Sequence, residues 1–159
     1  MINEKKLFKI FLLGSFLCLI SLSIILSLYY QKGFEKSNNK KIRLNIITNV
    51  DKDLLWKFST KNDFIDAKIG QIYKIEFNVE NYDFNKSSGK AIYVVEPIFF
   101  KKYFVEIDCF CYKNQTLMAG EKSIYSITFY IDTEVLNNSR ANNIQNINIS
   151  YTFLNNKND

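Results

Sequence analysis

Two of the chain's three cysteines, Cys109 and Cys111, stand two residues apart within Tyr103–Gln115, YFVEIDCFCYKNQ. Side chains at i and i+2 of a strand point the same way, so the two thiols share a face. The chain has no histidine. Imidazole zinc sites, Ser-His-Asp catalysis and Cys-His catalysis are thereby excluded, and a soft-metal or redox site here must be built from thiolates. Two adjacent thiolates without a nitrogen ligand suit a soft, low-coordinate ion, for which Cu(I) is the natural candidate. Structural zinc wants four ligands, which only two chains together could supply. A thiol–disulfide role uses the same pair, though no histidine or helix N-terminus is evident to lower a thiol pKa. The remaining alternative is two small apolar residues filling a core. Three cysteines are an odd number and argue against a disulfide framework. A Cys-x-Cys bridge would close a very small ring with distorted geometry, so free thiols or metal ligands are expected.

The elements that must position this pair are strands. Ile42, Leu44 and Ile46 alternate with Arg43 and Asn45, and Leu54–Ser59 supplies a second strand with Trp56 and Phe58 on one face. A short third follows at Phe64–Ala67, and Tyr73, Ile75, Phe77 and Val79 give a clear period of two. Asn81–Gly89 reads as a loop, Lys90–Glu96 as a strand ended by Pro97, and Tyr103–Tyr112 as the cysteine strand. Tyr125, Ile127, Phe129 and Ile131 form the next inner face after the Ala119-Gly120 turn, Asp132–Gln145 a polar connection, and Ile147, Ile149, Tyr151 and Phe153 the last strand. About seven short strands without an amphipathic helix predict an all-β, immunoglobulin-like sandwich over residues 42–155. Alternation groups Cys109 and Cys111 with Val105 and Ile107, with Phe110 opposite. An unbroken strand would bury both sulfurs, so a working site requires a bulge or an end near Asp108 that lets both sulfurs reach solvent.

Ahead of the domain, residues 1–9 form a short tail with Lys5, Lys6 and Lys9 against Glu4. Ile10 to Gln31 carries no charge and exceeds the about 20 residues a helix needs to cross a bilayer. Tyr29 and Tyr30 sit where an interfacial aromatic belt would be. A cleaved signal peptide would have a shorter apolar region followed by small residues, so the segment predicts a retained single-span anchor at 10–31. Cys18 lies inside it as a small apolar residue. Residues 32–41 read as a polar tether and 156–159 as a polar tail. Lysines flank both ends of the span, so charge asymmetry alone does not orient it. The absence of an Arg-rich presequence points to a bacterial protein. The net charge of +5 comes from scattered lysines mixed with carboxylates. No clustered basic stripe or nucleic-acid motif is present, so nucleic acid is not an expected partner.

The sequence resembles the CtaG family of membrane-anchored copper-delivery proteins for cytochrome c oxidase assembly. Asp108-Cys109-Phe110-Cys111-Tyr112, with Gln115 and Leu117, is similar to the family's CFCF…Q.L signature, and Gly120-Glu121 to the G-E that follows. Phe129-Tyr130-Ile131-Asp132-Thr133-Glu134 resembles F-[FY]-[VI]-D-P-E, and Ile149-Ser150-Tyr151-Thr152-Phe153 resembles L-S-Y-T-F. Upstream, Leu55-Trp56-Lys57-Phe58 resembles P-W-K-F, and Ala91–Pro97 with Tyr103-Phe104 resembles Y-N-V-x-P…Y-F. The resemblance implies a non-enzymatic metallochaperone anchored in the bacterial inner membrane, with its immunoglobulin-like domain in the periplasm. It further implies Cu(I) held by Cys109 and Cys111, with Phe110 as the spacer that fixes them. The cargo would come from a copper donor protein and pass to the B copper site of oxidase subunit I. A homodimer pairing its cysteines across the interface is also implied. The chain departs from the family in having no cysteine just after the span, where it reads Ser27–Phe34, SLYYQKGF. Thr133 and Val94 stand where proline and asparagine are usual.

Overall fold

A computed structural model describes residues 4–38 and 40–156 of the chain. Met1, Ile2 and Asn3 of the expected tail, Asn39 of the expected tether and Lys157, Asn158 and Asp159 of the expected polar tail lie outside the described residues. The chain divides into two compact units, a single helix and a β domain.

The helix α1 runs over Glu4–Asn38, past both ends of the uncharged stretch. Within it, Leu12–Tyr30 is long and apolar enough to cross a membrane. At 1.5 Å per residue it reaches about 28 Å, close to a hydrocarbon core of about 30 Å. Its described apolar side chains are exposed on every side, as a lipid-facing helix requires and a soluble helix does not tolerate. The hydroxyls of Ser15, Ser21 and Ser23 donate to the carbonyls of Leu12, Cys18 and Ile20, at 2.8–2.9 Å. Each of these three serines thus satisfies its hydroxyl within the helix, as a polar group in a membrane-spanning helix must.

The β domain is a two-sheet sandwich. One sheet has the order β3-β1-β9-β5-β7, formed by Phe64–Lys68, Lys41–Val50, Asn146–Asn155, Ser87–Glu96 and Asn114–Leu117. The other has the order β2-β4-β8-β6, formed by Trp56–Thr60, Tyr73–Asn81, Lys122–Ile131 and Phe104–Cys109. Alternating apolar residues face inward from both sheets to make one core, so the all-β class and the single N-terminal helix stand as read from the sequence. Nine strands are formed among the described residues, one more than the eight segments read from the sequence. The addition is β7, whose NQTL carries no apolar alternation; its backbone pairing with Ser87–Lys90 makes it a strand. The polar connection after β8 is not featureless either. Thr133–Asn137 forms a 3-10 turn capped by Asp132, whose Oδ1 accepts from the Glu134 N–H at 2.9 Å, and Ser139–Asn142 forms one helical turn.

Candidate metal centre

Strand β8 is paired on both sides. Against β4 it runs in unbroken register from Tyr73↔Phe129 to Glu80↔Lys122. Against β6 the pairing goes Phe104↔Ile131, Val105↔Tyr130, Glu106↔Phe129, then slips, and resumes at Asp108↔Thr128 and Cys109↔Ile127. The extra residue is Ile107, which is 54% exposed. Phe129 and Ile127 are both fully buried on the inner face, so their partners Glu106 and Cys109 face inward too. Three residues apart, they would lie on opposite faces of a regular strand; the bulge puts them together.

The bulge corrects the expected grouping. Val105 and Ile107 are not the inner face of this strand. Phe104 is, with its ring 4.8 Å from that of Phe129. The expected irregularity near Asp108 is present, and it exchanges the parity of everything before it.

After Cys109 the chain leaves one sheet and crosses to the edge of the other, where β7 begins. Phe110, expected to face away, is 8% exposed and fills the gap between the sheets. Its ring centroid lies 5.7 Å from Phe77, 5.2 Å from Tyr125 and 5.7 Å from Phe153, so it touches β4, β8 and β9 together. Gln115 Nε2 donates to the Phe110 carbonyl at 3.3 Å, and the Tyr112 N–H donates to the Ala91 carbonyl at 2.8 Å. Tyr112 adopts φ 64°, a left-handed conformation uncommon for a bulky residue. The turn is therefore held by core packing and hydrogen bonds rather than by local preference.

This turn draws the cysteine Cα atoms to 5.1 Å, against about 6.5 Å for i and i+2 of an extended strand. The two sulfurs are joined as a disulfide. The expectation of free thiols is corrected: once the strand turns, the Cα separation falls inside the range that bridges use. The Cys111 N–H donates to Cys109 Sγ at 3.0 Å. Cys109 is half-buried and Cys111 is 4% exposed, so the site opens on the Cys109 side and the expectation of two solvent-facing sulfurs is corrected as well.

Glu106 completes the neighbourhood. One carboxylate oxygen and the two sulfurs lie within 4.8 Å of one another. Burial pushes the Glu106 carboxyl up from its ordinary range, against the opposing pull of the Tyr93 hydroxyl, which hydrogen-bonds with it, and of Lys101. Burial and the neighbouring Glu106 charge push the Tyr93 phenol up. The fully buried Tyr151 phenol is raised well above 10 by burial and by the same carboxylate. Sequence reasoning missed Glu106, because in an unbroken strand it alternates out of phase with Cys109. It also read Tyr151 only as an inner-face residue. The position of Glu106, two after Phe104, was the one available sign that it faces inward.

The other motif residues hold the frame. Trp56 and Phe58 are core residues, with rings 5.1 Å and 4.9 Å from Phe153. Glu121 accepts from the Met118 N–H at 2.7 Å across the turn whose Gly120 has φ 70°. Lys101 and Lys102 lie over the Tyr93 and Tyr103 rings, at 5.3 Å and 4.7 Å.

The sequence profile of the family described as "Cytochrome c oxidase assembly protein CtaG/Cox11" matches residues 24–155. Among curated relatives, proteins named "Cytochrome c oxidase assembly protein CtaG" are similar. That of Bradyrhizobium diazoefficiens is 33% identical over 114 residues, which is 72% of this chain and 53% of the relative. That of Rhodopseudomonas palustris (strain BisB18) is 33% identical over 114 residues, 72% of this chain and 55% of the relative. That of Ehrlichia ruminantium (strain Gardel) is 34% identical over 113 residues, 71% of this chain and 63% of the relative. The chain spans about half the length of the first of these relatives.

Proposed function

The chain belongs to the CtaG/Cox11 family of cytochrome c oxidase assembly proteins, and on that premise we propose that it is a membrane-anchored carrier that delivers Cu(I) to the B copper site of oxidase subunit I. Cys109 and Cys111 are its ligands. It receives the ion from a copper donor protein and acts by handing it on, not by catalysis. Residues 10–31 anchor it in lipid as a single span of a bacterial inner membrane, residues 1–9 form a cytoplasmic tail and 32–41 a tether. The domain at 42–155 lies on the periplasmic side, ending in the polar tail 156–159. A second copy, pairing its cysteines with these, raises the coordination beyond two.

The observation that carries this reading is the pairing of two sulfurs at a corner of the sandwich, one of them only partly buried, in a chain without histidine. Two thiolates so close suit a soft monovalent ion. The bonded pair must first take up two electrons and two protons, supplied by a dithiol reductant, to become two thiols. Full chain in detergent, reduced under anaerobic conditions, is expected to retain about one Cu(I) per chain, and Cys109→Ser with Cys111→Ser to retain none. Full copper retention by the double variant overturns the reading, and the mass in solution with and without copper reports the second copy.

A second reading is favoured by the sulfur–sulfur bond itself. As a dithiol, the pair would reduce a partner's disulfide and emerge in the bonded form. Alkylation trapping in cells separates the two: a mixed disulfide with a partner supports the reductant, and metal-capped thiols support the carrier.

A further inference from the structure

Glu106 has no place in a two-thiolate site, yet the fold turns it toward the sulfurs. The bulge at Ile107 makes it the nearest inward neighbour of Cys109 along β6, and its carboxylate lies within the 4.8 Å cluster with both sulfurs. The hydroxyl of Tyr93 bonds to the carboxylate, while the Oε1 atom is buried without any hydrogen-bond partner among the described residues. The hydroxyl of Tyr151, fully buried and close enough to feel the Glu106 charge, is the other buried side-chain oxygen left unpaired among the described residues. Buried polar atoms are ordinarily satisfied, and a free carboxylate lone pair in such a place calls for a cation. Lys101 acts on Glu106 electrostatically but forms no ion pair with it among the described residues.

We propose that Glu106 is a third, oxygen donor beside Cys109 and Cys111, so that the reduced site takes a divalent ion of the zinc class as well as Cu(I). The inference rests on the reading of the cysteine pair as a metal site. Two sulfurs and one carboxylate oxygen form a donor set that zinc accepts, and three protein ligands with a fourth position open is a coordination it commonly shows. Thiolate and carboxylate ligands at about 2.3 Å and 2.1 Å from one ion stand about 3.5–4 Å apart, so reduction must part the bonded sulfurs, while the carboxylate oxygen already lies within 4.8 Å of both. Charge points the same way. Two thiolates and a carboxylate carry three negative charges, which a divalent ion offsets better than a monovalent one. Cu(I), satisfied by sulfur, gains little from an oxygen ligand. Glu106 therefore sets the balance between the two kinds of ion.

The test uses the full chain in detergent, reduced and anaerobic, titrated with Zn(II) and with Cu(I) against chromophoric competitors, and with Co(II) as a spectroscopic stand-in. Wild type is expected to take one divalent ion per chain, with a sulfur-to-cobalt charge-transfer band. Glu106→Gln is expected to lower the ratio of divalent to Cu(I) affinity at least tenfold, on the scale that altered metal shells produce (about 10–100-fold). Glu106→Asp, which shortens the reach, should lower the same ratio. A ratio that neither substitution moves, or a wild type that takes no divalent ion, overturns the proposal. A chain that binds Zn(II) but not Cu(I) defeats the copper reading and leaves this site standing. Cu(I) binding with a ratio indifferent to Glu106 does the reverse.

Discussion

One strand, β8, has two neighbours and treats them differently. Along β4 it keeps eight successive pairs in register, and the inward residues of both strands are core residues. Along β6 it keeps three pairs, skips Ile107 and keeps two more, and there the inward residues are Phe104, Glu106 and Cys109. The regular edge makes stability; the irregular edge gives up a residue to place chemistry. Because a strand's faces alternate, a single inserted residue is the least change that can bring a carboxylate and a thiol three apart onto one face.

The sharpest way to break that contrast is to delete one residue from each edge. Removing Asn78 from β4 turns the inward residues on one side of the cut outward, and the variant is expected not to fold, with no cooperative transition by circular dichroism. Removing Ile107 leaves Glu106↔Phe129 and Asp108↔Thr128 already aligned, so it should fold with stability changed by about 1 kcal/mol or less, a typical value for a surface site. Equal damage from both deletions would mean that the bulge is not a local feature. Next in size, Phe110→Ala empties the space between the sheets and should cost about 3–5 kcal/mol in denaturant titration. Because Phe110 also sets the turn, that variant is expected to show free thiols at Cys109 and Cys111 by quantitative alkylation, where Phe77→Ala loses comparable stability and keeps the pair bonded.

Smaller effects sharpen the comparison. Tyr151→Phe deletes a buried hydroxyl that has no partner, and should raise stability by about 1 kcal/mol, since an unsatisfied buried group costs about 1–3 kcal/mol. A loss would show that the hydroxyl is bonded after all. The smallest effect lies on the edge strand β3, where Asp66 pairs with Arg43 across the ladder at 2.8 Å. The hydrogen bond from Arg43 and its charge hold the Asp66 carboxyl below its ordinary value. The contribution is therefore present above the unfolded-state value, about pH 4, and is lost as the pH falls through the lower folded-state value. Asp66→Asn should lower the melting temperature slightly at neutral pH, and the gap to wild type should close in acid. A gap that widens in acid reverses the sign.

What was legible in the sequence follows the same division. β1, β4, β8 and β9 announce themselves through alternation, because both faces of each strand have settled environments, and the N-terminal helix through its length without charge. β7 was hidden because NQTL pairs through its backbone and shows no apolar phase. The cysteines were legible by type and spacing, and the need for a break near Asp108 followed from parity. Which residue would be extruded was not legible, since Val105 and Ile107 are as apolar as Phe104. The wrong phase therefore sent Glu106 outward, while Phe110 was placed away from the core because the strand was read as running on past Cys109, where it ends. Nor does a tyrosine at an inward position reveal whether its hydroxyl finds a partner.

The order of strands also sets a timetable. β9, the last strand along the chain, lies in the middle of its sheet, parallel to β1 and antiparallel to β5. A chain emerging from its N-terminus has β1 and β5 on either side of a gap until Asn146–Asn155 arrives. Pairings so distant along the chain form slowly and leave unpaired edges open in the meantime. Until then the sandwich lacks its central strand, and Tyr151 and Phe153, against which Phe110 seats, come last. The order of synthesis thus keeps the cysteine corner unassembled until the rest of the domain exists to hold it.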